Sequence, residues 1–132
     1  MSYKVSIYIP AFNAEKTIEY SIKSVQDQSL AFDEIIIIDD HSTDNTSEIV
    51  KKFHNIKLIT NSKNMGLGFN RNLAIKNCKN EIVAAIDADV VLDKFWLENI
   101  LKTFEKDKIT MSGGKMIEKN VDNKFNSWRS RY

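Results

Sequence analysis

The stretch "EIIIID", residues 34–39, decides the fold. Its four consecutive isoleucines stand between two acids, so a strand over these residues would be apolar on both faces. Strands of this kind are typical of parallel sheets that are covered by helices on both sides. The stretch therefore predicts an α/β fold and a polar turn that begins at Asp39 and Asp40.

The segments on either side alternate between strand and helix patterns. Further strands are predicted over residues 5–10, 56–60, 81–86 and 109–115. Helices are predicted over residues 15–28, 44–53 and 68–77 and after residue 93, with Asn13, Asp44 and Asp93 as N-caps and Glu15 in a first turn. Units of about 30 residues are typical of βαβ crossovers, whose right-handedness places helices on both faces of a mostly parallel sheet.

Composition excludes several classes of protein. A chain of 132 residues with 42% apolar residues can form one domain with a core. The net charge of +1, with scattered basic residues, argues against a nucleic-acid surface. The single cysteine, Cys78, excludes an internal disulfide and a cysteine-rich zinc site. Since we find no secretory signal and no transmembrane run, we expect a cytoplasmic protein.

Polar residues collect at the predicted carboxyl ends of strands, where doubly wound sheets bind ligands. Asp87 and Asp89, at i and i+2 of an extended segment, would point to one side and suit Mg²⁺. The glycine-flanked helix entry at residues 66–68 and Arg71 suit a phosphate. Together these residues predict a nucleoside diphosphate bound through a metal. The alternative is that Asp87 and Asp89 cap the next helix and that Asp39 only anchors its turn.

Other nucleotide and nucleophile motifs are missing from the chain. The glycines of residues 66–68 follow the third strand and do not form the G-x-G-x-x-G pattern, which disfavours NAD binding. There is no Walker A motif and no G-x-S-x-G sequence.

Four motifs in order carry a resemblance to a known family. They are "VSIYIPAFNAEKTI" (5–18), "IIIIDDHSTDNT" (35–46), "NMGLGFNRNLAI" (64–75) and "AAIDADVVLD" (84–93). Over residues 3–117 the chain resembles the family 2 glycosyltransferases of the Rossmann-like GT-A fold. The resemblance implies inverting transfer of a sugar from a UDP- or GDP-sugar to a hydroxyl acceptor, in glycan, polysaccharide or glycolipid synthesis.

The resemblance also implies site residues. Asp89, with Asp87, would bind Mg²⁺ or Mn²⁺ on the diphosphate. The nucleotide sugar would lie against Pro10, Ala11, Phe12, Asn13, Glu15, Asp40, Gly68, Arg71, Asp87 and Ala88.

The chain departs from the family pattern at three points. His41 stands where many relatives have glycine, which predicts a less tight turn, and Val90 stands where many have a further acid. The family's general base would lie beyond Tyr132, since Asp107, Glu118 and Asp122 are poor substitutes. We therefore expect a donor-binding domain over residues 1–117 and the start of a truncated acceptor-binding region over residues 118–132, with weak activity or none.

Three further expectations concern partners and alternatives. The aromatic residues Phe125, Trp128 and Tyr132 would pack on the missing half or support self-association. A glycan or lipid-linked acceptor is compatible with peripheral attachment at the inner face of the membrane. The alternative functions are a non-catalytic nucleotide-sugar-binding module and a sugar-phosphate nucleotidyltransferase. The second is disfavoured because "PAFNAEKT" (10–17) is not the Gly-rich basic loop those enzymes carry.

Overall fold

Strands and helices alternate along the chain in the computed structural model, which describes residues 3–106 and 110–114. The strands are β1 (Val5–Ala11), β2 (Glu34–Asp39), β3 (Ile56–Thr60) and β4 (Ile82–Ala85). The helices are α1 (Ile18–Gln26), α2 (Thr46–Val50), α3 (Leu67–Asn77) and α4 (Trp96–Lys106). The predicted α/β class is confirmed.

The strands of the described residues form one parallel sheet in the order β3-β2-β1-β4. β1 is central and pairs with β2 from Ser6↔Glu34 to Ala11↔Asp39. It pairs with β4 on its other side. The chain thus moves outward from β1 to β3 and then returns across β1 to form β4. This reversal makes the gap between the carboxyl ends of β1 and β4 a topological switch point, where such sheets bind ligands.

The isoleucine run of β2 serves both faces of the sheet, because successive side chains of a strand point to opposite sides. Ile35 and Ile37 belong to a buried cluster with residues of α1 and α2. Ile36 and Ile38 belong to a second cluster with Tyr8 and with Ala74 of α3. The prediction of a strand buried on both faces is confirmed.

The strand predictions for residues 34–39 and 56–60 are confirmed residue for residue, and β1 continues one residue further than predicted, through Ala11. The fifth strand predicted for residues 109–115 is wrong over residues 110–114, which form no strand. Ser112, Gly113 and Gly114 offer little side-chain surface to pack on a pleated sheet. Ile109 and Lys115 lie outside the described residues.

The chain divides into two compact units, residues 1–97 and 98–132. In the second unit, Thr103 Oγ1 donates to the Ile100 carbonyl and contacts Ser112 Oγ, at 2.6 and 3.1 Å. The boundary predicted at residue 117 and the aromatic residues predicted to support self-association lie outside the described residues and stay predictions. Within residues 3–106 and 110–114, we find no helix with the length and apolar character needed to cross a bilayer.

The first helix begins later than predicted, and Asn13 is not its N-cap. Thr17 occupies that position and makes no side-chain capping bond. Asn13 has a φ of +48°, and its Oδ1 accepts a hydrogen bond from the Thr43 N–H at 2.8 Å. This side chain therefore holds a neighbouring loop instead of the helix that follows it.

Asp44 and Asp93 lie near helix starts, but the predicted N-cap role of Asp44 is wrong, because Asn45 is the N-cap of α2. Asp44 Oδ1 accepts a hydrogen bond from the N–H of Thr46, the first residue of α2, at 3.0 Å. Asp93 Oδ1 accepts one from the Phe95 N–H at 2.9 Å, just before α4. Carboxylates at these points satisfy backbone donors and complement the helix dipole.

Replacing Ile37 with Ala should lower the free energy of unfolding by about 2–5 kcal/mol, because it leaves a cavity in the core. The Ile37 side chain is 0% exposed, whereas Ile75 on α3 is 53% exposed. The matched control Ile75→Ala should therefore change stability by only about 0.5 kcal/mol. Urea unfolding followed by circular dichroism measures both variants, and equal losses would contradict a core that surrounds β2.

Candidate functional site

The last residues of β1 form the floor of the candidate site. Pro10 and Ala11 pair with Ile38 and Asp39 inside the sheet, and both are buried. Phe12 follows them and is 50% exposed. Of these three predicted nucleotide contacts, Phe12 therefore presents the most side-chain surface to solvent.

The loops that follow β1 and β2 are joined by a loop clamp, which we define as residues 13–15 and 42–46. The backbone N–H groups of residues 13, 14 and 15 donate to Ser42 Oγ, Thr46 Oγ1 and Asp44 Oδ2 at 3.0, 2.8 and 3.0 Å. In return, Asn13 Oδ1 accepts from the Thr43 N–H, and Glu15 Oε2 accepts from the Asn45 N–H at 3.1 Å. Two predicted nucleotide contacts, Asn13 and Glu15, thus support the loops.

Asp39, the last residue of β2, and Asp40, which follows it, are both buried. Asp39 Oδ1 accepts a hydrogen bond from the Ser42 N–H at 3.1 Å, which agrees with the turn-anchoring interpretation. Asp40 Oδ1 accepts from the Met65 N–H at 2.8 Å, and Asp40 Oδ2 accepts from the Gly66 N–H at 2.9 Å. The Asp40 carboxylate therefore fixes the loop that leads into α3.

The charge of Asp40 depends on these donors. Burial alone would raise the pKa of the carboxyl group, since the residue is 3% exposed. The hydrogen bonds, led by that from the Met65 N–H, outweigh burial and hold the pKa below its usual value of 3.8. Asp40 is thus an ionised structural acceptor at neutral pH.

The entry to α3 combines a constrained glycine with open space. Gly66 has φ +85° and ψ 161°, a conformation that is essentially restricted to glycine. Gly68, a predicted nucleotide contact, lies in the first turn, and an added Cβ there would meet no atom within 4 Å. The described residues therefore leave room beside Gly68.

The segment of Asp87 and Asp89 is a turn, not the extended strand end that we predicted. The Val90 N–H donates to the Asp87 carbonyl at 3.1 Å, so Ala88 and Asp89 are the central residues of the turn. β4 ends before this point, at Ala85, and the two acids are exposed. Their predicted common direction therefore depends on the turn instead of on strand alternation.

Arg71 of α3 lies close to the turn of residues 87–90, which we call the acid turn. Its Nη2 lies 3.4 Å from Asp87 Oδ1, and the two side chains are 47% and 59% exposed. A pair this exposed contributes about 0–1 kcal/mol to stability. It nevertheless joins the predicted phosphate ligand to a predicted metal ligand, at the switch point of the sheet. Asp93 Oδ1 accepts the hydrogen bond from the Phe95 N–H just before α4. This bond disfavours the interpretation that Asp87 and Asp89 cap that helix.

The metal-binding capacity of the site rests on two carboxylates. Among residues 3–106 and 110–114, no group of three or more His, Cys, Asp or Glu side chains is arranged to hold a metal ion. Carboxylate oxygens are hard donors, and Mg²⁺ commonly takes one or two of them together with substrate phosphate oxygens. The pair Asp87 and Asp89 fits that chemistry.

A separate cavity of about 560 Å³ lies near the amino end of β2 and does not include the acid turn. Its acids already have backbone donors: Asp33 Oδ2 accepts from the Val5 N–H, and Glu34 Oε2 accepts from the Lys79 N–H. The cavity is lined by Val25, Gln26, Ala31, Phe32, Asp33, Glu34, Ile35 and Asn55.

Two residues of the site were missed in the sequence. Asn61 follows β3 directly, and its Nδ2 donates to Asp40 Oδ1 at 2.8 Å. Its position after a strand was a usable signal. Tyr8 is buried in β1, where burial raises the pKa of its phenol and the charge of Arg71 offsets part of that rise. Nothing in an apolar strand pattern distinguishes Tyr8 from a core residue.

Comparison with known sequences identifies relatives of the chain. The family model "Glycosyl transferase family 2" matches residues 6–132. UDP-Glc:alpha-D-GlcNAc-diphosphoundecaprenol beta-1,3-glucosyltransferase of Escherichia coli is 36% identical over 121 residues, which are 90% of this chain and 43% of that protein. Chondroitin synthase of E. coli is 32% identical over 126 residues, 92% of this chain and 18% of that protein. The chain thus spans less than half the length of these relatives.

Solved structures share the fold. S. aureus TarS 1-349 in complex with UDP has a TM-score of 0.74 and 27% identity, over 89% of this chain and 40% of that one. Mannosyltransferase PcManGT from Pyrobaculum calidifontis, in complex with GDP-Man and Mn²⁺, has a TM-score of 0.71 and 26% identity, over 76% of this chain and 32% of that one. The predicted GT-A fold is confirmed by these neighbours.

Replacing His41 with Gly should raise the free energy of unfolding by about 0.5–1 kcal/mol. His41 is exposed and has φ +63°, a left-handed conformation that glycine adopts without steric cost. The left-handed conformation costs a non-glycine residue about 1–2 kcal/mol, and the glycine variant avoids this cost. Glycine loses more conformational entropy on folding, so the net gain is smaller. The exposed His54, which has no positive φ, is the control: His54→Gly should destabilise the fold.

Asp40→Asn should lower the free energy of unfolding at pH 7 by about 1–3 kcal/mol, because an amide nitrogen replaces one carboxylate oxygen and cannot accept the backbone N–H bond that this oxygen receives. The folded-state pKa of Asp40 is depressed, so its contribution is present above the unfolded pKa and is lost as pH falls through the folded pKa. The difference between wild type and variant should therefore shrink below about pH 4. Urea unfolding across pH measures this, with the exposed Asp27→Asn as control. A difference independent of pH would contradict the ionised role.

Proposed function

Because the chain belongs to glycosyl transferase family 2, we propose that it binds a nucleoside diphosphate sugar whose sugar is transferred, with inversion, to a hydroxyl acceptor. The names of the relatives support a UDP sugar first, since one is a UDP-Glc transferase and TarS was solved with UDP-GlcNAc. The GDP-Man complex of the mannosyltransferase keeps a GDP sugar as the alternative.

Relatives that build polysaccharides and glycolipids support the acceptor class. They include chondroitin synthase and the transferase that acts on a diphosphoundecaprenol-linked sugar. We propose a glycan or lipid-linked hydroxyl as the acceptor. A cytoplasmic location, with peripheral attachment at the inner face of the membrane, stays a prediction from the sequence.

The observation that carries the proposal is the contact between Arg71 and Asp87 at the switch point. A guanidinium group and two carboxylates there face open solvent within one small region. The cation of Arg71 suits diphosphate oxygens, and the carboxylates would hold a divalent cation that offsets the charge of the diphosphate. A site that only capped a helix would not need this combination.

A divalent cation, Mg²⁺ or Mn²⁺, would be held by Asp87 and Asp89. When bound, it supplies positive charge that neutralises the departing diphosphate. Val90, which follows Asp89, adds no third carboxylate. The two carboxylates would therefore hold the cation together with oxygens of the donor. The Mn²⁺ in the mannosyltransferase complex supports this choice of ion.

The remaining predicted contacts take different roles in the proposed site. Phe12 offers its exposed ring to the base above the floor of Pro10 and Ala11. Gly68 leaves space for the phosphates beside Arg71. The roles we propose for Asn13, Glu15 and Asp40 are to hold the loops, because these side chains accept backbone hydrogen bonds from neighbouring segments.

Transfer itself requires a base for the acceptor hydroxyl. Asp107, Glu118 and Asp122 lie outside the described residues, so the identity of the base stays a prediction from the resemblance. The part of the reaction that we propose for the described residues is donor binding. A nucleotidyltransferase is disfavoured by the family match, and a non-catalytic binding module would use the same donor site.

Calorimetric titration of UDP and GDP, each with and without Mn²⁺, tests the donor site. UDP should bind more tightly with Mn²⁺ than without it, and Asp89→Asn should reduce this metal-dependent gain by at least about tenfold, because it removes a charged ligand. The exposed Asp27→Asn is the matched control and should retain the gain. Binding that ignores both the metal and Asp89→Asn would contradict the proposal, and a preference for GDP would change the base.

A further inference from the structure

The segment that carries Asp87 and Asp89 is held by α1 instead of by the sheet. Among residues 3–106 and 110–114, the last backbone bond from this segment to the sheet is the one that the Ile86 N–H donates to the Tyr8 carbonyl at 3.2 Å. Beyond it, two serines of α1 and one residue after the helix contact the chain. Ser21 and Ser24, at i and i+3, lie on one face of α1, and Gln28 lies two residues after the last residue of the helix, Gln26.

Each of these three side chains bonds to a different backbone point. Ser21 Oγ donates to the Ala88 carbonyl at 2.8 Å. Ser24 Oγ accepts from the Leu92 N–H at 3.0 Å. Gln28 Nε2 donates to the Asp93 carbonyl at 2.7 Å, and its Oε1 accepts from the Leu97 N–H at 3.0 Å. The bonds therefore fix the chain from residue 88 to residue 97.

Ser21 differs from the other two because its partner lies between the two acids. Ala88 is the first central residue of the turn closed by the Val90 N–H and the Asp87 carbonyl. The Ala88 carbonyl belongs to the peptide that joins the two central residues, and rotation of that peptide converts one turn type into another. Asp89 has no positive φ, and such a rotation would move it toward one, a strained conformation for aspartate that would disturb its placement beside Asp87. The hydroxyl of the fully buried Ser21 donates to the Ala88 carbonyl and holds this peptide in one orientation.

We propose that Ser21 is a positioning residue for the acid pair: it orients the central peptide of the 87–90 turn so that Asp87 and Asp89 face one cation. This rests on the proposed function for the identity of the ligand. It adds a determinant of the metal site that does not touch metal or donor, because Ser21 acts through the Ala88 carbonyl. Supporting bonds of this kind typically change metal affinity by about 10–100-fold.

Two variants of the same chemistry test the proposal on the 132-residue chain. Ser21→Ala removes the bond to Ala88, and Ser24→Ala removes the bond from the Leu92 N–H together with the bond that Ser24 Oγ donates to the Ser21 carbonyl at 2.8 Å. The first measurement is amide hydrogen exchange by NMR without ligand or metal. Ser21→Ala should lower the protection of the Val90 amide by about tenfold, and Ser24→Ala should lower that of Leu92 and spare Val90.

The second measurement is the ratio of UDP dissociation constants without and with Mn²⁺. Ser21→Ala should reduce this ratio by about tenfold, and Ser24→Ala should retain it. Thermal melts accompany both, since a general loss of stability would affect the two variants alike and would not change the ratio.

The outcomes separate the two proposals. Unchanged Val90 protection in Ser21→Ala overturns the positioning role, whatever the metal does. If Ser21→Ala lowers the protection of the Val90 amide but retains the ratio of UDP dissociation constants, Ser21 orients the turn without affecting the metal site, and that part of the proposal is overturned. If the wild type shows no metal dependence, the proposed function fails, and hydrogen exchange still decides whether Ser21 orients the turn.

Discussion

The parallel pairing of β1 with both β2 and β4 is the constraint on which the rest of the structure depends. It brings the carboxyl ends of three strands to one edge and sets the reversal of strand order between β1 and β4. Residues far apart in sequence, such as Phe12, Arg71 and Asp87, reach the same region because of it. The pairing itself is stable because β1 and β2 bury apolar side chains on both faces of the sheet.

A sheet of this kind leaves loops at its carboxyl edge whose backbone groups need partners. A backbone donor that is removed from water needs a partner, and in exposed loops side chains can take the place of water as acceptors. The loop clamp satisfies backbone donors of residues 13–15 and of residues 43 and 45. Asp40 does the same for the entry to α3. Rigid loops then present the exposed groups at defined positions.

Acids of one type thus take two roles at one edge. Asp40 is buried and its oxygens accept backbone N–H bonds, which hold its pKa below the usual value. Asp87 and Asp89 are exposed to solvent, and the ligand-binding role is the one that we propose for them. The difference comes from solvent exposure and hydrogen-bond partners, since the side chains are chemically alike. The Ser21 hydroxyl supports the turn at residues 87–90, as Asp40 supports the loop before α3.

The sequence by itself determined the class of fold, the core of β2 and the edge where polar residues collect. Those features follow from local patterns, because the side-chain period of a strand and the position of a residue after it are visible along the chain. Only the tertiary structure decided that Asn13 and Glu15 serve the loops, that residues 87–90 form a turn and that residues 110–114 form no strand. The bonds that settle the roles of these side chains join residues 30 positions apart in the loop clamp and 67 apart between Ser21 and Ala88. No local pattern contains such a partner, so the role of each polar side chain was fixed only when folding brought the partners together.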